Sequence, residues 1–412
     1  MNLLLWGALD SGTGFGTVTL GLGKAFMDMG HSVRFVAIND QEAAPDGYTV
    51  IPLGLPVIPE DATREHAQTV FMAWIEHVRH VLAEGHEGWK ADTIIVTGDP
   101  ASIIRSEIVQ LVPKDIPTWH YCPIEGVGIP PRWSEMWRNM KPIAMCDFGA
   151  GEIERITGER PPFVYHGVDL ESFFPVSAQR PIVIRTNDVG GLKVLRTKED
   201  CKALFGIDPR TTVLLRTDRN MPRKRYGSML RAVAPVLARH PEVELYMHCR
   251  TVDEGGSLDD FRSHFPPSLA ARMRTFGYWD VGMVVPREIL CAMYNAADVY
   301  LSTSAEGFGL TPAEALACGV PVVGMDFTSV PEVVGRAGML VPPAFLVENI
   351  YAYAWASIDE AKYTEAVEFL VTHQARRREL GRLGPKHVAT MTWPAAAEKF
   401  LSIIDVKEAV AA

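Results

Sequence analysis

The chain opens on an apolar run, LLLWGALD, then a glycine-rich turn, SGTGFGT, and then VTLGLGKAFMDMG, whose apolar residues recur at helical spacing and stop at Gly30. SVRFVAIND reads as the next strand. DTIIVTGD (92–99), PTWHYCP (117–123), KPIAMCD (141–147) and PFVYHGVD (162–169) follow as buried-strand segments. Helical stretches around 62–83, 101–110, 133–140 and 149–157 alternate with them. Alternation of this kind predicts a parallel sheet with both faces covered by helices. A polar, irregular stretch from about Asp169 to Thr197, containing Phe173-Phe174-Pro175, interrupts the pattern and marks a domain boundary. The pattern then restarts: TTVLLRTD, VELYMHCR, VYLSTS and PVVGMD as strands, with SMLRAVAPVLARHP, ILCAMYNAAD and PAEALACG as helices between them. WPAAAEKFLSIIDVKEAV reads as a final amphipathic helix.

The expected fold class is therefore α/β, with two Rossmann-like domains. Ligands of open parallel sheets bind in the crevice beyond the carboxyl ends of the strands. A length of 412 residues fits two domains better than one core. Hydrophobic content of 47% with 22% charged residues is globular and argues against disorder. Every apolar run is broken well before the roughly 20 residues a membrane span needs. Met1 leads almost directly into the first strand, so no secretory leader is expected. The six cysteines (122, 146, 201, 249, 291, 318) form no CxxC pair. Reduced thiols in a cytoplasmic protein are expected, rather than disulfides or a zinc site. Residues 1–175 hold 12 Lys and Arg against 23 Asp and Glu, leaving 28 against 27 for the remainder. An acidic first half disfavours broad contact with nucleic acid or anionic lipid.

The most informative segment is Glu306 to Pro321, EGFGLTPAEALACGVP. Glu306 and Glu314 flank a glycine-rich turn, Gly307 and Gly309, that runs into a helix start at Thr311-Pro312. Free backbone N–H groups at such a start suit a diphosphate, and carboxylates accept hydrogen bonds from sugar and ribose hydroxyls. The alternative for Glu314 is a capping box, with Thr311 as N-cap and Glu314 returning a bond to its N–H. Arg219 and Lys224, in RTDRNMPRKR after a strand, supply a planar fork and a point charge for a departing diphosphate. A solvated basic loop is the alternative there. Arg216, Arg223, Arg225 and Arg231 nearby bring nucleic acid into consideration. Gly12-x-Gly14-x-Gly16 lacks the spacing of a dinucleotide fingerprint, which sets aside a nicotinamide enzyme with Asp40 on the ribose. Gly14 and Gly16 instead read as a loop that lets backbone approach donor or acceptor. In PPRWSEMWRNMKP, Trp133 and Trp137 are four apart and would share a helix face beside Arg132. That face is either packing or a platform that stacks a sugar or a base.

SAEGFGLTPAEALACGVPVVGMDFTSVPEVVGRAGMLVPP resembles the Glu-x7-Glu block of retaining family-4 glycosyltransferases of GT-B fold. HGVDLESFFP resembles that family's interdomain approach, RTDRNMPRKR its Arg…Lys phosphate segment, and SGTGFGTVTLGLGKAFMDMGHSV its N-terminal loop and first helix. The resemblance implies two domains facing a central cleft. An acceptor domain would span 1–175 plus a crossover helix from about 393 to 412, and a nucleotide-sugar domain 176–392. It implies that Glu314 holds the ribose hydroxyls and that Glu306 lies near the transferred sugar. The N–H groups of Phe308, Gly309 and Leu310, with Thr311 beside them, would meet phosphate or sugar oxygens. His120 falls where the family carries a His that contacts the donor sugar, although Tyr121-Cys122-Pro123 replaces the usual acidic neighbour. A slip of a few residues would bring Glu125 in as the crevice acid, and a buried structural His is the other reading. The family's Gly after the Lys is Arg225 here.

The implied reaction is metal-independent transfer of a hexosyl or pentosyl group, with retention, from a nucleotide-diphosphate sugar to a hydroxyl of a glycan, small molecule or other acceptor. No cofactor is expected, and no Asp-x-Asp metal motif occurs in the sequence. Two alternatives stay open: a nucleotide-sugar epimerase or hydrolase of the same fold, and a glycosyltransferase acting on a hydroxymethylated base in nucleic acid. The donor's base and sugar, and the choice between a covalent intermediate and same-face attack, are not legible.

Overall fold

The computed structural model describes residues 1–10, 12–37, 47–53, 63–105, 108–185, 191–278 and 285–411. Ser11, Asp40 and the rest of the segment 38–40 expected to end the second strand lie outside them. The chain divides into two compact units, Met1–Ile124 with Gly128–Gly167 and Trp393–Ala412, and Glu125–Val127 with Val168–Thr392.

The first unit is a five-stranded sheet in the order Ser32–Ala37, Asn2–Gly7, Thr93–Thr97, Thr118–Cys122, Lys141–Ala144, every pairing parallel. Leu3, Leu4, Leu5 and Trp6 are buried, as expected of a strand paired on both edges and covered on both faces. The helix Gly14–Asp28 starts at Thr13, whose hydroxyl accepts from the Gly16 N–H at 3.1 Å. A Cβ on Gly16 would stand 1.7 Å from the Asp10 carbonyl oxygen, so only glycine fits there. The helix Trp393–Ala411 completes this unit's core. Phe400 meets Tyr121 and Phe26 edge-on at 4.9 and 6.2 Å. Trp393 stacks on His166 and packs against the Gly21 backbone, where a Cβ would clash with its ring.

Two expectations are corrected here. PFVYHGVD forms no strand and touches the edge strand through one bridge, Ala144 to Phe163. Pro161 and Pro162 have no N–H to give a ladder. Residues Pro131–Arg138 form a 3-10 helix rather than an α-helix. Side chains three apart eclipse in that geometry, so Trp133 and Trp137 do not share a face. Both are buried.

The second unit holds a six-stranded parallel sheet in the order Met273–Thr275, Val243–Met247, Thr212–Arg216, Val299–Ser302, Val322–Met325, Gly338–Val341. Helices Tyr226–Arg239, Arg287–Ala296, Leu310–Ala317, Glu360–Thr372 and Gln374–Val388 belong to this unit. The sequence between Asp169 and Thr197 is not wholly irregular, because Ile182–Arg185 pairs with Leu192–Leu195 as an antiparallel hairpin. A second hairpin, Pro343–Glu348 with Ala354–Ile358, bonds through Ala354 to Val127 in both directions. It thereby holds the short segment Glu125–Val127 in this unit. A Cβ on Gly126 would lie 2.2 Å from the Ala354 oxygen. Strand order reverses between Thr212–Arg216 and Val299–Ser302, whose outgoing chains diverge at their carboxyl ends, the usual ligand position in an open sheet.

Candidate active site

At this switch point the two strands deliver Thr217-Asp218-Arg219 on one side and Thr303-Ser304-Ala305-Glu306 on the other. Arg216 is fully buried between them. Its guanidinium donates to the carbonyls of Leu301 and Lys224 at 3.1 and 3.3 Å and to the hydroxyls of Thr303 and Ser304 at 2.9 and 3.2 Å. Its Nε lies 2.7 Å from Asp218. Burial alone would lower the guanidinium's pKa, but Asp218 together with the neighbouring tyrosines, Tyr300 first, raises it. This buried fork pins both strand exits together.

Lys224 ends the 3-10 turn Pro222–Lys224, and Arg225 follows at φ 55°, in the left-handed region where a glycine sits without strain. The Lys224 ammonium bridges two buried carboxylates, Asp218 at 2.8 Å and Glu306 at 2.5 Å. Arg223 reaches the other oxygen of Glu306 at 3.0 Å, the Ala305 carbonyl at 3.0 Å and Glu125 at 2.8 Å. The Ser304 hydroxyl also donates to Glu306. Burial pushes the Glu306 carboxyl up, but Lys224 and Arg223 together hold it well below the usual carboxylate range, so it is ionised at neutral pH.

Gly309, at φ 105° and ψ 67°, caps the helix Leu310–Ala317 with no side chain bonded to its first turn. The capping box is therefore not formed: Leu310 and Thr311 are already helical, and Pro312 is the third residue. Thr311 instead points its hydroxyl at Asp218, 3.3 Å away. The N–H groups of the opening turn have no acceptor within the helix. The turn's shape is fixed from behind, where the Ser329 hydroxyl lies 2.8 and 2.6 Å from the carbonyls of Glu306 and Phe308. Thr328 accepts from the Glu306 N–H at 2.9 Å. Glu314 is buried, takes a 2.7 Å hydrogen bond from the Tyr294 hydroxyl, and is pushed by burial to a pKa of about 7. Tyr294 continues to Thr217 at 2.8 Å, which links Glu314 to the strand exit bearing Asp218.

Lys224 and Arg223 thus meet on Glu306, Arg223 extends the cluster to Glu125, and Phe308, Gly309, Leu310, Thr311 and Glu314 lie along the adjoining turn and helix. Arg219 is placed differently. It is partly exposed and pairs with Asp253 at 2.9 Å and Glu254 at 3.2 Å on a surface hairpin, not with the cluster. His120 belongs to the first unit and is fully buried. The Trp137 indole N–H donates to its Nδ1 at 3.1 Å, which makes Nε2 the protonated nitrogen, and Nε2 donates to the Gly98 carbonyl at 3.0 Å. Both ring nitrogens are engaged inside the protein, and burial lowers the pKa to about 4. The placement is that of a neutral structural histidine, with no nitrogen left for a donor sugar. Trp137 is committed to that histidine and Trp133 to the interior, so neither offers an acceptor platform; Arg132 is exposed. Gly16 is closed off by Asp10, whereas Gly14 is exposed at the helix start.

Sequence reasoning did not single out Arg216, Asp218, Arg223, Ser304 or Tyr294 as site residues. The signal for Arg223 was visible in PRKR, next to Lys224. Nor do the four arginines weighed for nucleic acid form a patch. Arg216 is buried, Arg223 faces Glu306, Arg225 bonds to the Ala356 carbonyl and Arg231 pairs with Glu360.

Two open parallel sheets, with a charged cluster at the switch point of the second, define an α/β chain of the GT-B fold. The sucrose-phosphate synthase of Thermosynechococcus elongatus aligns with a TM-score of 0.70 over 100% of both chains at 18% identity. Anabaena Alr3699/HepE in complex with UDP-glucose aligns with a TM-score of 0.64 over 98% of this chain and 100% of that one at 12% identity. Residues 211–357 match the family model described as glycosyl transferases group 1. The D-inositol 3-phosphate glycosyltransferase of Rhodococcus erythropolis (strain PR4 / NBRC 100887) is 30% identical over 211 residues, which are 50% of this chain and 43% of the relative. The chain spans about half the length of the curated relatives it matches.

Proposed function

We propose that the protein is a retaining glycosyltransferase that moves a sugar from a nucleotide-diphosphate sugar to an acceptor hydroxyl without a metal ion. One observation carries the reading. The Lys224 ammonium is held on ionised Glu306 at the exits of two neighbouring strands, beside the uncapped first turn of the helix that bears Glu314. That helix mouth supplies N–H donors to the diphosphate. Lys224 and Arg223 stabilise the charge that develops as the glycosidic C–O bond to phosphate breaks, and both are positioned before the reaction begins. Glu306 orients the two cations and faces the transferred sugar. Glu314 takes the ribose hydroxyls. The acceptor oxygen attacks the anomeric carbon on the face the diphosphate leaves, and its proton passes to the leaving phosphate oxygen. A nucleoside diphosphate and a glycoside of unchanged configuration result. The UDP-glucose complex of a protein of this fold supports a nucleotide-sugar donor.

The test pairs a thermal-shift screen of UDP-, GDP- and ADP-sugars with nucleotide release in the presence of hydroxyl acceptors, the product's anomeric configuration being read by NMR. Expected are stabilisation by one donor class, acceptor-dependent release and retention, all unaffected by millimolar chelator. Release without acceptor would assign a hydrolase or epimerase instead. Inversion, or loss of turnover on chelation, would overturn the corresponding part of the mechanism.

A further inference from the structure

A second charged concavity lies in the same unit, at the opposite end of the sheet from Glu306. It has a volume of about 610 Å³, within the range of small-molecule sites. Ala297 and Asp298, which precede the strand Val299–Ser302, and Pro321, which precedes Val322–Met325, form part of its wall. The rest comes largely from one face of the helix Gln374–Val388. Arg378, Arg382 and Lys386 stand four residues apart along that face, and Arg377 and Lys198 also line the space. Like charges at this spacing repel, so the stripe is unfavourable unless an anion meets it.

The packing forces the stripe into place. A Cβ on Gly381 would lie 2.4 Å from the Gly319 oxygen, and one on Gly384 2.5 Å from the Leu316 oxygen. Two glycines thus seat the helix against the end of the helix that carries Glu314. Asp298, the single carboxylate among the described lining residues, does not neutralise the exposed cations. It is already held by Lys198 at 2.8 Å, Lys202 at 3.4 Å, Arg377 at 3.9 Å and the Val213 N–H at 2.9 Å. Arg382 and Lys386 have no carboxylate within ion-pair distance among the described residues, and Arg378 reaches only the side-chain amide oxygen of Gln374.

We propose that this concavity binds a phosphorylated ligand at a site separate from the donor cluster, with Arg378, Arg382 and Lys386 as its phosphate-binding side chains. Arginine forks suit phosphate oxygens, and two of them with Lys386 and a paired Lys198 suit a group carrying more than one negative charge. The inference does not depend on the glycosyl-transfer reading.

The full chain is titrated calorimetrically with inorganic pyrophosphate at physiological ionic strength. Arg382→Ala/Lys386→Ala is expected to weaken one class of sites by about tenfold or more. Lys224→Ala, which alters the donor cluster, retains that class, and so does the charge-conserving Arg382→Lys. An unchanged isotherm in the double variant overturns the proposal, as does the absence of any pyrophosphate binding that survives Lys224→Ala. Co-sedimentation with phosphatidylglycerol against phosphatidylcholine vesicles separates the sources of phosphate. Retention on the anionic vesicles that the double variant loses identifies a lipid headgroup. Pyrophosphate binding without retention identifies a free phosphorylated molecule.

Discussion

Replacing Glu314 by Gln tests the electrostatics of the site before any substrate is known. Burial raises the Glu314 carboxyl from 4.5 to about 7, and the Tyr294 hydroxyl supplies its hydrogen bond. The folded-state pKa lies above the unfolded one. This acid therefore contributes stability that is fully present below about pH 4.5 and is lost as pH rises through about 7. Integrated between pH 5 and pH 8, the loss is roughly 2–3 kcal/mol. Gln resembles the protonated acid in shape and accepts from Tyr294, but does not titrate. Paired urea denaturation of wild type and Glu314→Gln isolates this one group, because every other titration is common to both. The stability difference should move in favour of Gln by roughly 2–3 kcal/mol on going from pH 5 to pH 8. A difference independent of pH would refute the placement of Glu314 as a buried carboxyl without a cationic partner. The same ionisation makes a better acceptor for ribose hydroxyls, so donor affinity should rise through about pH 7 in wild type and stay flat in the variant.

Lys224→Ala and Glu306→Gln should each lower kcat by about 10²–10³. Lys224→Ala should also cost about 3–5 kcal/mol of stability by leaving buried carboxylates underpaired; full turnover in Lys224→Ala would remove the diphosphate reading. Trp137→Phe takes the donor from His120 Nδ1 and should cost about 1–3 kcal/mol in denaturant melts with kcat per folded molecule unchanged, whereas a selective loss of kcat would return His120 to the chemistry. Gly126→Ala meets the Ala354 oxygen, and should lower the melting temperature and release Glu125 from Arg223; an unaltered melt would show that the segment yields without cost.

The sheets were legible because their strands are continuous apolar runs, as in LLLW and TVLL, bounded by turn residues. The hairpin Pro343–Glu348 with Ala354–Ile358 was not, since it begins on two prolines and exposes Phe345 and Leu346, so no buried face marks it. At the site, the glycine turn and the helix after it follow from local sequence. The contact of Lys224 with Glu306 spans 82 residues and rests on strand order, which no local pattern encodes. The exchange of Arg219 for Arg223 has the same origin. Both arginines precede Lys224, and only the path of the Pro222–Lys224 turn decides which one faces Glu306. Trp133 and Trp137 misled because a spacing of four has meaning only once the helix type is fixed.

The helix beginning at Trp393 has a consequence for synthesis. Tyr121 and Phe26 await Phe400, and Phe400 is translated after all of the second unit. On the ribosome, the portion made first cannot close its interior until the other has emerged. The order of maturation should therefore run against the order of synthesis, with apolar surface around Phe26 and Tyr121 open to chaperones in the interval. A fragment that stops at Gly167 would keep that surface uncovered, and joining residues 393–404 back to it by a linker should restore a folded first unit.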